Sequence, residues 1–418
     1  MTSNMSRVVI IGAGQAGVSA ATFLRSGGFR GQILLFGDEQ VLPYQRPPLS
    51  KAFLKGEIGL EDLWLKSATF YVEQNIDLRL GIRVEEIDRK KAAIRLANGT
   101  WQAYDNLIIA TGSRPRALPD VQEEMEGLHQ LRSYEDTRRL RKALSPDAHI
   151  VLVGGGYIGL EVAASARALG ARATVIELED RLLARVASRP VSNFLEGYHR
   201  ARGVEIITCA SVAALETDGG RLTNVRLADG RRFQCTAAVV AIGGVPNDQL
   251  GRMAGLSCDG GILVDHNGRT SDPAIFAIGD VSRRPLPFYG DRVHRLESVG
   301  NAVEQARLAV AAILGQERPE DEVHWFWSDQ FDVKFKSAGV AFDADRQLLR
   351  GSSEGRFSVL HLKDDRLISI ETINNAGDFV AGRKLIASRQ VIDDTLAADA
   401  DVPLKSLISL GNDRKLYV

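Results

Sequence analysis

The chain has 418 residues, with 52 basic and 53 acidic side chains and a net charge of −1. Such a balance gives no global field for nucleic acid or a membrane surface, so any charged partner must meet a local patch. An apolar share of 44% fits a globular chain with room for about two or three domains.

The opening residues are too few and too polar for a secretory leader, which points to the cytoplasm. No apolar run is long enough to span a membrane. The stretch Val8-Val9-Ile10-Ile11 reads as a buried strand, followed by Gly12, Gly14 and Gly17 at G-x-G-x-x-G spacing. A helix is expected over 18–26, closing at Gly27-Gly28. A second strand over 32–36 runs into Gly37-Asp38-Glu39. The pattern then returns: a strand over 150–153, Gly154, Gly156 and Gly159, a helix to about 169, a strand over 173–176 and Glu177.

Each glycine has its own task. The first permits a tight turn, the second lets backbone approach a pyrophosphate, and the third lets helix and strand pack closely. The helix N-terminus then faces the phosphates. Asp38 and Glu177 stand where an acid accepts from a ribose diol. Glu177 suits the free 2′-hydroxyl of NADH, although Arg172 and Arg181 nearby leave NADPH open. Two such units in one chain suggest two dinucleotides held face to face, and hence electron transfer.

Farther along, "LIIATGSRPR" (107–116) and "VVAIGGVPN" (239–247) each end a strand in a small-residue turn. Turns of this kind mark crossings between nucleotide domains. "AIFAIGDVS" (274–282) places Asp280 at a strand end. Phe331, Val333 and Phe335 alternate as in a strand. "RFSVLHLKDDRLISIETIN" (356–374) reads as a hairpin turning at Asp364-Asp365, and helices are expected over 376–388 and 404–410. The fold class expected is α/β: two Rossmann-like dinucleotide-binding domains, one inserted in the other, plus a C-terminal α+β domain. The boundaries are 1–115 and 245–323 for the first domain, 116–244 for the second and 324–418 for the third. Cys209, Cys235 and Cys258 form no Cys-x-x-Cys pair and read as small apolar residues. No metal site is expected.

Four motifs carry a resemblance: "PYQRPPLSKAFL" (43–54), "GGGYIGLEVA" (154–163), "RLESVGNAVEQAR" (295–307) and "WFWSDQF" (325–331). With them the chain resembles the pyridine-nucleotide–disulfide oxidoreductase superfamily. Within it, the chain is similar to the putidaredoxin reductase-like branch, the NADH-dependent ferredoxin reductases of oxygenase systems. No cysteine precedes Cys209, so a thiol relay beside the flavin is absent. The resemblance implies that FAD occupies the first domain and NADH the second. NADH passes hydride to FAD, and electrons leave singly to an acidic [2Fe-2S] ferredoxin that feeds a cytochrome P450 or a ring-hydroxylating dioxygenase.

The resemblance also implies roles. Gly12, Gly14, Ala16, Gly17 and Asp38, with Arg46, hold the adenosine-diphosphate half of FAD. Val84, Ala110, Thr111, Gly112 and Arg132 line its site, and Gly279-Asp280 meets the ribityl chain. The helix starting at Val299 turns its positive end toward the flavin. Lys51 sits beside the reactive flavin nitrogen, paired with Glu161. Gly154, Gly156, Ile158, Gly159 and Glu177 bind NADH, with Arg185 at its phosphates. Ile242 and Gly243 lie at its nicotinamide ribose, and Glu297 at the carboxamide. Tyr157 covers the flavin face, and Trp327 lies between nicotinamide and partner. Arg307, Lys384 and Lys405, with the cluster Arg283, Arg284, Arg292 and Arg295, are docking candidates. Two other readings stay open: reduction of rubredoxin or another acceptor, and a redox-sensing interaction protein like apoptosis-inducing factor.

Overall fold

The computed structural model describes residues 6–119 and 125–408. The chain divides into two compact units, Met1–Gln45, Leu60–Arg114 and Gly244–Glu322 in one, Arg46–Gly59, Pro115–Gly243 and Val323–Val418 in the other.

The first unit is built on a five-stranded parallel sheet. Its spatial order is Ile275–Ala277, Asn106–Ile109, Arg7–Ile11, Gln32–Phe36 and Ile76–Arg79. Apolar runs form the first four of these strands because both faces of the sheet are covered, whereas the edge strand Ile76–Arg79 alternates apolar and charged residues. Val8 and Ile10 lie in one buried cluster, Val9 and Ile11 in another. The helix after the first strand is Gln15–Ser26, three residues longer at its start than the sequence suggested. The apolar periodicity begins at Val18, whereas the helix already begins behind its glycine cap.

The second unit repeats the plan. Its parallel sheet runs Leu128–His129, Ala237–Val240, His149–Val153, Arg172–Ile176 and Val204–Ile207. Position by position it matches the first sheet, with the edge strand supplied from a different place in the chain. Each unit also carries a three-stranded antiparallel sheet, inserted between the third and fourth parallel strands in chain order in the first unit and between the fourth and fifth in the second. These are Val84–Asp88, Ala93–Leu96 and Trp101–Ala103 in the first, and Val212–Asp218, Arg221–Leu227 and Arg232–Gln234 in the second.

The second unit further contains a five-stranded antiparallel sheet, ordered Trp325–Gln330, Val333–Gly339, Arg366–Ile373, Arg356–Lys363 and Arg346–Ser352. Phe335, Phe357 and Val359 of this sheet join Ile150, Leu152 and Val239 in one buried cluster. Helix Ala376–Ser388 packs on it so closely that a Cβ on Gly382 would lie 2.7 Å from Ile370.

Several local expectations change. Phe331 is not part of a strand; with φ of 54° it makes the turn between Trp325–Gln330 and Val333–Gly339. The alternation Phe331-Val333-Phe335 therefore merged a turn with a strand. Asp364 and Asp365, at φ of 48° and 60°, form the expected hairpin turn. The last expected helix opens with a 3-10 turn, Leu404–Ser406, and is helical at Leu407 and Ile408, while its residues 409–410 lie outside the described residues. The short helix Asp394–Ala398 was not anticipated. Cys209 is exposed at positive φ, so it is no core residue; Cys235 is buried and Cys258 half-buried.

Candidate active site

Each glycine turn makes the same kind of hydrogen bond within its own unit. The Gly12 N–H donates to Phe36 O at 2.8 Å, and the Gly154 N–H to Ile176 O at 2.8 Å. Both glycines sit near φ +110°, at +110° and +108°. A Cβ on Gly12 would fall 2.2 Å from Ala110 O, and one on Gly154 2.6 Å from Ala241 O. The third glycines are equally fixed. A Cβ on Gly17 would meet Gly12 O at 1.9 Å, and one on Gly159 would meet Gly154 O at 2.2 Å.

The middle glycines differ from these. Nothing lies within 4 Å of a Cβ placed on Gly14, and only Ala241 O, at 3.8 Å, approaches one on Gly156. Each caps its helix without a side-chain hydrogen bond. An open cradle over an uncapped helix N-terminus fits a dinucleotide pyrophosphate. Ala16 is buried in the first such helix, while Ile158 is exposed at the head of the second.

Past the glycines, the two acids behave differently. Asp38 is exposed. Glu177 is anchored: its carboxylate accepts from the Gly155 N–H at 2.6 Å and the Glu179 N–H at 2.9 Å. Arg181 is committed elsewhere, donating to Ala187 O, Ala184 O and Ser192 Oγ. Arg185 is exposed and approaches the turn; its Nη2 lies 3.4 Å from a Cβ on Gly243.

In the first unit, strand Asn106–Ile109 runs into Ala110, Thr111 and Gly112. Thr111 Oγ1 donates to Asn247 O at 2.8 Å, and Asn247 Nδ2 returns a bond to Thr111 O at 2.9 Å. Asp280 accepts from Ser113 Oγ at 3.0 Å, on a 3-10 turn entered through Gly279 at φ of 75°. Glu297 pairs with Arg295. Helix Val299–Leu314 is capped by Ser298, whose hydroxyl accepts from the Asn301 N–H at 3.1 Å. Val84 is buried.

In the second unit, Arg46 Nη1 donates to Arg132 O at 2.6 Å, bringing two expected FAD residues together. Pro47 and Pro48 open a 3-10 turn over Pro47–Ser50 that delivers Ser50 and Lys51 to the helix Tyr157–Ala168. Lys51 Nζ lies 2.6 Å from Glu161 Oε2. Ser50 Oγ donates to the same oxygen at 2.5 Å, and Ser328 Oγ to Oε1 at 2.6 Å. Glu161 is buried, and a buried carboxylate needs such donors. The resemblance pointed to the pair, and sequence reasoning missed Ser50 and Ser328. The alternation of Trp325-x-Trp327 against Ser328-x-Gln330 was the available signal for the latter.

Tyr157 lies against Phe326 and Phe335, with ring centroids 4.5 and 5.5 Å away. Burial, and then the carboxylates Glu371 and Glu161, push its phenol well above the ordinary range. Trp327 stacks on Trp325 at 5.3 Å. Ile242 is half-buried. Among the docking candidates, Lys384 and Lys405 are exposed, and Arg307 bonds Glu322 at 2.8 Å. The expected basic cluster does not stand as one: Arg284 is buried against Glu304 at 2.5 Å, and Arg283 pairs with Asp259.

The family model of the pyridine nucleotide-disulphide oxidoreductases matches residues 6–306. The chain belongs to this family. A second model, the reductase C-terminal domain, matches residues 325–408. Among oxidoreductases of this family, the chain is 49% identical over 404 residues to a probable ferredoxin reductase of Castellaniella defragrans, covering 96% of this chain and 98% of that one. It is 41% identical over 409 residues to putidaredoxin reductase of Pseudomonas putida, covering 96% of each. A crystal structure of a covalent putidaredoxin reductase–putidaredoxin complex matches with a TM-score of 0.95 at 39% identity, covering 97% of this chain and 99% of that one. This family member is an oxidoreductase whose cofactors are FAD and NADH, and the two open glycine cradles fit them. Despite the family's name, its three cysteines are free, and none precedes residue 209. No helix among the described residues is long and apolar enough to cross a membrane.

Proposed function

We propose that this chain is an NADH-dependent ferredoxin reductase serving a cytochrome P450 or a ring-hydroxylating dioxygenase, with a [2Fe-2S] ferredoxin as acceptor. The observation that carries the reading is the duplicated glycine cradle in a chain with no cysteine before residue 209. FAD, when bound, supplies the step from two-electron hydride chemistry to single-electron release. The FAD domain is residues 1–115 and 245–323, the NAD domain 116–244, and the C-terminal domain 324–418.

Gly12, Gly14, Ala16, Gly17, Asp38, Arg46, Val84, Ala110, Thr111, Gly112, Arg132, Gly279, Asp280 and Val299 hold FAD. Gly154, Gly156, Tyr157, Ile158, Gly159, Glu177, Arg185, Ile242, Gly243 and Glu297 serve NADH. Lys51 offers an ammonium to the reacting ring, and Glu161 keeps that ammonium in place. A hydrogen-bonded pair in a water-poor site holds orientation through hydride transfer, where position lowers the barrier. Trp327 borders the path to the partner. Lys384 and Lys405 offer exposed positive charge to an acidic ferredoxin, and Arg307, paired with Glu322, adds a weaker contribution. Three free cysteines suit the reducing cytoplasm, where we place the protein.

The test is a visible spectrum of purified protein before and after NADH, followed by titration with a panel of [2Fe-2S] ferredoxins and a rubredoxin. We expect a yellow protein bleached by NADH, with fast ferredoxin reduction. A protein that stays colourless after incubation with FAD would end the reading; preference for rubredoxin would replace its acceptor.

A further inference from the structure

The strand Trp325–Gln330 carries two kinds of residue on its two faces. Trp325 and Trp327 share one face and stack on each other. Ser328 and Gln330, two residues apart, are both buried. From them a line of polar contacts runs through the second unit. Ser328 Oγ lies 2.6 Å from Glu161 Oε1, Gln330 Nε2 lies 3.1 Å from Ser328 Oγ, and His199 Nε2 lies 2.9 Å from Gln330 Oε1. On the opposite oxygen of Glu161 sits Lys51 Nζ at 2.6 Å.

The direction of every bond in this line follows from one end. A carboxylate facing an ammonium accepts only, so the Ser328 hydroxyl donates to Glu161. Its single proton is then used, and it can only accept from the Gln330 amide N–H. That sets the Gln330 oxygen toward His199, whose Nε2 must carry the proton. A flipped Gln330 would set its oxygen against a hydroxyl with no proton left to give. His199 is thereby fixed with a proton on Nε2. Burial pushes its titration down to about 4, in keeping with a neutral ring. Its Nδ1 has no partner among the described residues, and the ring edge rests on Phe331 at 5.1 Å.

We propose that Ser328, Gln330 and His199 form a one-way hydrogen-bond chain that positions the Glu161 carboxylate, and through it the Lys51 ammonium, for hydride transfer. All three are positioning residues, since Glu161 and Lys51 stand between them and the reacting ring. The hydride part rests on the reductase reading; the chain itself does not. Ser328 has a single proton, and giving it to Glu161 sets the direction of the next two bonds, so loss of that link frees Gln330 to turn.

The test has two arms. In the first, the protein without added cofactor is labelled with ¹⁵N-histidine and its imidazole shifts are read at pH 7, with His199→Gln assigning the resonance. We expect a neutral ring protonated on Nε2 in the wild type and a mixture of tautomers in Ser328→Ala. A wild-type His199 protonated on Nδ1 alone overturns the chain without recourse to any variant, as does an unchanged His199 signal in folded Ser328→Ala.

In the second arm, the rate of flavin reduction by NADH is measured by stopped flow. Loss of one hydrogen bond to a charged group predicts a fall of about tenfold in Ser328→Ala, with NADH affinity unchanged. In a Glu161→Gln background the same change has no further effect, because the residue it acts through is already altered. A full additional tenfold loss in that background overturns the positioning role. A protein that binds no FAD would refute the reductase reading, and the imidazole shifts would still decide the chain.

Discussion

Glu161 is almost closed to solvent, yet its two oxygens collect three donors, Lys51, Ser50 and Ser328. Lys51→Met removes the charged donor and leaves the two hydroxyls. Breaking a buried pair costs several kcal/mol, but Lys51 keeps 18% of its side chain exposed. The expected loss of stability is therefore about 2 kcal/mol, read by thermal unfolding. The larger effect falls on chemistry: flavin still binds, and hydride transfer slows by about a hundredfold. Unchanged hydride transfer in a flavin-loaded Lys51→Met protein would remove this residue from the mechanism. His199 gives a second prediction at this scale. Its titration lies near 4 in the folded chain, lowered chiefly by burial. In the unfolded chain it takes its proton near 6.5. Between those values the unfolded state binds more protons, so stability falls as pH falls from about 6.5 to 4 and is unaffected by this group above that window. The gap corresponds to about 3 kcal/mol. Melting curves against pH should show a shallower acid slope in His199→Gln than in wild type.

The glycine turns argue at the scale of the strand–turn–helix element. Gly12→Ala places a Cβ 2.2 Å from Ala110 O at φ of 110°, so both the backbone and the neighbouring strand end resist it. Gly14→Ala meets no protein atom within 4 Å. The first change is expected to lower stability by at least about 2 kcal/mol with or without cofactor. The second should leave the melting temperature of the FAD-free protein within a degree or so of wild type and weaken FAD by about a hundredfold, because the methyl enters the space a pyrophosphate would use. Equal FAD affinity in Gly14→Ala would mean the cradle is not the binding site. These elements were the most legible part of the sequence. A strand buried on both faces must be apolar throughout, and a turn touching a neighbouring carbonyl must be glycine, so both leave a mark in the letters. Lys51 and Glu161 were reached only through resemblance, since they lie far apart in the chain and are joined by folding. Ser328 and Gln330 were hidden because two aromatic neighbours dominate their strand. Phe331 misled because a residue in a tight turn kept the alternation of the strand beyond it.

For the whole molecule, charge is balanced at −1, so attraction to a ferredoxin must come from local groups. The structure separates the basic candidates. Arg284 is buried against Glu304 and Arg307 is engaged with Glu322, whereas Lys384 and Lys405 are exposed. An ion-paired arginine presents little net charge, and changing it would also break its own contact. The two lysines are therefore the cleaner probes. Their contribution acts across solvent, where the Debye length is about 8 Å at physiological salt. Raising salt from about 50 to 300 mM should reduce ferredoxin-dependent turnover several-fold, mainly through slower association, and change reduction of a small neutral acceptor by less than about twofold. Lys384→Glu and Lys405→Glu should each lower kcat/KM for ferredoxin by about three- to tenfold at low salt, and the deficit should shrink as salt rises. Neither should alter the rate at which NADH reduces the protein, because neither belongs to the set that binds cofactor. Charge reversals that leave ferredoxin kinetics untouched would move docking away from these lysines. Loss that persists undiminished at high salt would mean that they act by packing rather than by charge.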